Sequence, residues 1–226
     1  MDWAAFELSV RLGLLTVLLL VPIALLTARW LAVSEFPGKS LLEATLASPL
    51  VLPPTVVGYY LLVGLSNESL IGRWLMELTG QGVVFHFSGL LIASFIVNIP
   101  FAIQPMQRAF ESIPQDIRDA AACCGMSYWI SMFKVEIPLA WPGILTAIVL
   151  TFAHTLGEFG VVLMVGGNLP GETRTVAISI YDRVQAFDYD AAGQMSLLLL
   201  LFSIGVLALA FTLSRQFGKR RSLPEL

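Results

Sequence analysis

The chain has 226 residues, 57% hydrophobic and 13% charged, and a mean hydropathy of +0.80. A water-soluble domain carries about a quarter charged residues, so this composition argues against one and points to an integral membrane protein. The net charge of −3 says little about partners, because in a membrane protein the placement of Lys and Arg matters more than their sum.

Asp2 and Glu7 make the start acidic where a cleavable signal is basic. The apolar run Leu8–Trp30 therefore reads as a first membrane helix that stays. Four further runs, Leu42–Leu65, Val83–Met106, Ile137–Val165 and Gln194–Leu213, are also long enough to span, given a need of ~20 residues. Without water to satisfy the backbone, helices suit such runs. The predicted fold is all-α, a polytopic membrane protein of about five transmembrane helices.

Nine of the 13 Lys and Arg fall on one side if the C-terminus is cytoplasmic, including Lys219, Arg220 and Arg221. This bias predicts the N-terminus outside and the C-terminus inside. Ala32–Leu41 and Gln107–Glu136 are then cytoplasmic, and Ser66–Gly82 and Gly166–Gly193 external. The second external loop holds a short helix-like piece, Val176–Phe187. Gly38-Lys39-Ser40 ends like a phosphate-binding loop, but that motif requires Gly where Val33 stands. The chain is thus expected to hold no nucleotide.

In the second run, Pro49, Pro53 and Pro54 interrupt the helix. The bend is either a packing kink or a path-lining gate. Asn98 and Pro100 are candidate hydrogen-bond and kink positions in the third run, and Gln104 and Arg108 lie near its inner end. In the fourth run, "HTLGEFG" puts Glu158 near the outer side of the hydrocarbon, where an acid is costly if it faces lipid. It should face the bundle or a subunit interface. Gly157 and Gly160 permit close approach beside it, so Thr155–Gly160 is a candidate gate. A carboxylate would repel an anion, which favours a hydrogen-bonding role for Glu158. His154 and His86 read as packing and interfacial residues, without metal-site companions. The loop "GGNLPGETRT", with Asn168, Thr173 and Arg174, is either a mouth offering N–H groups to an oxyanion or an ordinary turn-rich loop.

Between the third and fourth runs lies "RDAAACCGMSYWISMFKVEIP". Pro114 suits a first helical turn, and good helix formers run to Cys124. Gly125 suits a left-handed cap. Ser127 can cap a second helix, Tyr128–Glu136, with Trp129, Ile130, Phe133 and Ile137 at helical spacing. Cys123 and Cys124 read as small, reduced fillers. The segment is a helix–turn–helix at the cytoplasmic surface. A helix merely resting on lipid would favour Lys and Arg on its polar face, and this one is mixed.

Asp119-Ala120-Ala121, then Gly125, then Val135-x-Ile137-Pro138 resembles the EAA loop of ABC-importer permeases, with Asp for the usual Glu and Val-x-Ile for Ile-x-Leu. "EFPGKS", "SPLVLPPTVVGYYLL", "HTLGEFG" and "NLPGETRT" are similar to molybdate permeases of that family. The resemblance implies one transmembrane domain over 1–226, with a coupling loop at about 107–137. Asp119, Ala120, Ala121, Gly125, Ile137 and Pro138 would belong to the ATPase-coupling element. Pro53, Pro54, Thr155, Gly157, Glu158 and Gly160 would line the path or gate, and Asn168, Thr173 and Arg174 the outer mouth. It also implies a homodimer in the bacterial inner membrane, two cytosolic ATPases holding ATP and magnesium, and a periplasmic oxyanion-binding protein. The chain itself would bind no cofactor or metal, and nothing suggests nucleic acid. Tungstate or sulfate and thiosulfate permeases, or an ATP-independent channel or secondary transporter, are the competing readings. Secondary transporters often show buried ionisable pairs near midplane.

Overall fold

Asp2 accepts a hydrogen bond from the backbone N–H of Ala5 at 3.1 Å and so caps the first helix, α1 (Trp3–Val33). The computed structural model describes residues 1–219, and all their regular elements are helical. After α1 come α2 (Lys39–Val51), α3 (Pro54–Leu65), α4 (Leu70–Thr79) and α5 (Phe87–Glu111). They are followed by α6 (Gln115–Cys123), α7 (Tyr128–Ser131), a π-helical turn (Met132–Glu136) and α8 (Ile137–Gly157). The last are α9 (Gly160–Gly166), α10 (Val176–Gln185) and α11 (Tyr189–Lys219).

The centre is formed by α1, α5 and α8. Leu20, Ala24, Ala28 and Leu31 of α1 meet Ala102, Met106 and Phe110 of α5 and Ala140, Ile144 and Ala147 of α8. Small residues let these backbones approach closely. At Gly143 a side-chain carbon would fall 2.7 Å from the carbonyl oxygen of Pro105. Thr16 meets Ser94 and Arg29 meets Glu136, so α1 and α5 run parallel and α8 runs back between their ends. Many Leu and Ile side chains on α1 and α11 remain exposed, including Leu18, Ile23, Leu201 and Ile204. Such faces suit lipid, whose tails are as apolar as Leu.

Four helices are long and apolar enough to cross a membrane, and a fifth crossing is supplied by a bent pair. The run Leu42–Leu65 is not one kinked helix: α2 and α3 meet at 109°. Pro53 occupies the break in an extended conformation, with Pro54 as the first residue of α3. Glu43 of α2 bonds Gln107 near the end of α5, whereas Leu65 of α3 packs with Val83 before α5 begins. The bent pair therefore connects opposite ends of the bundle.

Other boundaries also move. The fourth run, expected as Ile137–Val165, is continuous backwards to Tyr128 and stops at Gly157, with α9 after a break. Thus Tyr128–Glu136 is not a separate surface helix; it is the base of a 30-residue helix with a π turn inside it. The loop Ser66–Gly82 contains α4, whose Leu70, Ile71, Trp74 and Leu78 share one exposed face. Val176–Phe187 ends as a helix at Gln185. The Arg220-Arg221 pair invoked for orientation lies outside the described residues.

Candidate functional site

The break between α8 and α9 falls at Glu158, one of the expected gate residues. Glu158 is buried, and its carboxylate accepts a hydrogen bond from the backbone N–H of Val161 at 3.0 Å. It thereby satisfies a free donor at the start of α9. Gly160 packs against Pro54, where an added carbon would sit 2.7 Å from the proline Cβ. Gly58 of α3 similarly abuts Met164 and Val161 of α9. The structure thus brings Pro53, Pro54, Glu158 and Gly160 into one region where two helix breaks face each other. Gly157 ends α8 beside them but is exposed with open space where a side-chain carbon would stand, so the expected close approach is made by Gly160 and not by Gly157.

Thr155 extends this region into the bundle. Thr16 donates to Ser94 at 3.0 Å, and Asn98 Nδ2 donates to the Ser94 carbonyl at 2.8 Å and to Thr155 Oγ1 at 3.1 Å. Because the Asn98 nitrogen faces acceptors, its Oδ1 faces His154 Nδ1 at 3.2 Å, and the imidazole must donate there. His154 Nε2 lies 3.7 Å from Glu158 Oε2, and the ring stacks on Phe101 at 4.0 Å. A polar relay therefore joins α1, α5 and α8 to the break. Thr16 and Ser94 were not singled out from the sequence, because isolated hydroxyls in apolar runs carry no pattern.

The loop residues Asn168, Thr173 and Arg174 bond largely to their own neighbourhood. Thr173 is buried and donates to the Gly166 carbonyl at 2.7 Å. Arg174 donates to Asn168 Oδ1 at 2.6 Å and lies 3.6 Å from Asp182. Asn168 Nδ2 also donates to Asp182 Oδ2 at 2.6 Å. The loop is pinned to α10, and the Arg174 charge is matched by Asp182.

At the opposite end, α6 stands away from the bundle. Asp119 and Ala120 are exposed and Ala121 is buried. Pro114 precedes the helix rather than opening its first turn. Gly125 has φ +75°, a conformation that disfavours side chains. Ser127 precedes α7, but its hydroxyl makes no cap. Cys123 and Cys124 are exposed, not fillers. Ile137 and Pro138 are half-buried at the foot of α8. A cavity of about 290 Å³ between α2 and α5 is lined by Glu43, Ala47, Pro100, Gln104, Gln107 and Arg108, among others.

One arrangement at this end escaped the sequence reading. Arg29, counted only as an inner-side charge, is 4% exposed, and Glu136 is 1% exposed. Arg29 forks onto Glu136 with contacts of 3.0 and 2.6 Å, and its guanidinium lies 3.9 Å from the Tyr128 ring centroid. The available signal was an Arg inside an apolar run and an acid just before another. Their pairing spans 107 positions.

Residues 13–223 match the family described as "Binding-protein-dependent transport system inner membrane component". The chain belongs to that family and is a multi-pass inner-membrane component of a binding-protein-dependent transport system. Among its relatives, the molybdenum transport system permease protein ModB of Azotobacter vinelandii is 44% identical over 96% of this chain and 95% of that protein. The protein of the same name from Haemophilus influenzae is 34% identical over 97% and 95%, respectively. A crystal structure of a bacterial ABC transporter that imports the acidic polysaccharide alginate shares the fold. Its TM-score is 0.77 at 18% identity, over 94% of this chain and 78% of that one. The resemblance to molybdate permeases thus extends along nearly all of the chain.

Proposed function

We propose that this chain is the permease subunit of an ATP-driven molybdate importer. The observation that carries the substrate is the 44% identity to a molybdenum permease across nearly all of both chains. In this reading two copies line a path at their shared interface. The α6 end faces the cytoplasm and the N-terminus lies outside. Two cytosolic ATPases, which hold the ATP and magnesium, bind beneath α6, and a periplasmic protein delivers the anion to the opposite face.

The geometry supports such a division of labour. The exposed short side chains of α6 permit a groove to close around it, and the Gly125 turn shapes its end. ATP binding draws the two α6 helices together and opens the path outward; hydrolysis resets it. At the outer end, the α3–α9 contact is the gate. Glu158 acts there as a hydrogen-bonding cap and not as an anion ligand, since a carboxylate repels a dianion. The path needs only weak sites, because conduction requires release as well as entry.

The test is reconstitution of the chain in lipid with its ATPase and binding protein, comparing molybdate, tungstate and sulfate. Stimulated hydrolysis with molybdate and tungstate, but not sulfate, is expected. Stimulation by sulfate alone would transfer the assignment to a sulfate permease. If the purified chain captures no ATPase and still conducts, it is a channel or carrier.

A further inference from the structure

Two arginines, one from α1 and one from α6, converge on one carboxylate at the foot of the fourth crossing helix. Glu136 lies in the π-helical turn Met132–Glu136. A π turn carries an extra residue and is frequent at functional positions. Arg29 of α1 reaches both Glu136 oxygens. Arg118 of α6 approaches Glu136 Oε2 at 3.5 Å. The same guanidinium donates to the carbonyl oxygens of Phe110 at 2.6 Å and Ile113 at 3.1 Å, at the end of α5. A cation there complements the negative end of the helix.

Helix α6 is otherwise lightly attached. Ala121 is its buried residue, and Gln115 bonds Asp119 within the same helix. Among the described side chains of α6, Arg118 is the one that hydrogen-bonds to other helices. The chain also joins α6 to α5 through Ser112–Pro114, with Ile113 buried in the core, and to α7 through Gly125–Ser127, a turn without side-chain bonds of its own to the bundle. The spans beyond Arg118 form a stiff unit, because α8 contacts α5 backbone at Gly143 and α1 interleaves with both.

A group of two cations and one anion, buried at Arg29 and Glu136 and half-buried at Arg118, is no better for stability than apolar packing of equal size. What it provides is a directional tie between elements. We propose that Arg29, Glu136 and Arg118 are positioning residues for energy coupling. They carry displacement of α6 into joint movement of α1, α5 and α8. This rests on the reading that an ATPase docks on α6.

Two variants test it in the reconstituted complex. R118M removes the side-chain tie between α6 and the bundle and leaves the Arg29–Glu136 pair intact. R29M/E136M replaces the pair with apolar side chains of similar reach. The readouts are ATPase co-purification and molybdate taken up per ATP hydrolysed. Both variants are expected to retain the ATPase, while uptake per ATP falls about tenfold or more. R118K, which keeps the charge but not the fork, is expected to recover part of the loss. Unchanged uptake per ATP in R118M overturns the proposal, including when the double variant fails to reach the membrane. Absence of ATPase from the unmodified complex overturns the docking reading itself and the proposal with it, and is seen before any variant is made.

Discussion

Glu158 closes the break between the fourth crossing helix and the short helix after it by accepting the backbone N–H of Val161 at 3.0 Å. The same carboxylate sits 3.7 Å from His154, so the cap is also the end of the internal polar relay. An acid placed where lipid would penalise it is therefore turned inward and used.

Glu158→Ala removes this cap and is expected to cost about 1 kcal/mol, the usual scale for a lost helix cap. Glu158→Gln keeps an acceptor and should cost less. Thermal unfolding of the detergent-solubilised variants measures both, and equal midpoints for Ala and Gln would show that the cap does not contribute.

Gly58→Val places a branched side chain where Met164 and Val161 already stand. Overpacking of this kind typically costs about 1–3 kcal/mol, and here it pushes α3 away from α9. Uptake should fall while the protein still reaches the membrane. Wild-type uptake would separate the α3–α9 contact from gating.

Asn98→Ala leaves Thr155 and His154 without their shared partner. Thr155 keeps Thr151 and Ser94 as partners and His154 is partly exposed, so the loss should be about 1 kcal/mol for each bond removed. The effect should be non-additive with Thr155→Val, since the two side chains are bonded at 3.1 Å. A double-mutant cycle on thermal stability reads the coupling directly.

Arg29→Met alone leaves the buried Glu136 with Arg118 at 3.5 Å as its remaining partner and should cost up to about 3–5 kcal/mol. The paired change R29M/E136M should recover most of that loss. Denaturation midpoints and membrane yield check the order, and a double variant less stable than the single one would contradict it.

Gly125→Asp forces a side chain into a left-handed conformation at a cost of about 1–2 kcal/mol, too little to prevent insertion. It should abolish ATP-driven uptake while leaving the chain in the membrane. Preserved uptake would favour a transporter that works without an ATPase.

Much of the architecture was legible because the bilayer imposes a length and an apolar composition on every crossing. The turn at Gly125 was legible because glycine has local conformational meaning. The break at Pro53 was partly so: proline announces an interruption, but not its 109° angle. Helix α4 was missed because a short amphipathic helix between crossings resembles a loop in composition. The segment Tyr128–Glu136 was expected as a separate helix, but nothing local stops a helix between Glu136 and Ile137.

The candidate site divides similarly. The sequence alone determined which residues were unusual for their setting: Glu158 and His154 in an apolar run, three prolines in another, and a polar helix with a glycine turn. These are local conflicts with the membrane, and they are visible one residue at a time. Only the tertiary structure decided their partners, with Glu158 on Val161, Asn98 between Thr155 and His154, and Arg29 on Glu136. A buried polar group must find a hydrogen bond wherever packing brings one within reach. That partner is chosen by how the helices cross, and for Arg29 it lies 107 positions away.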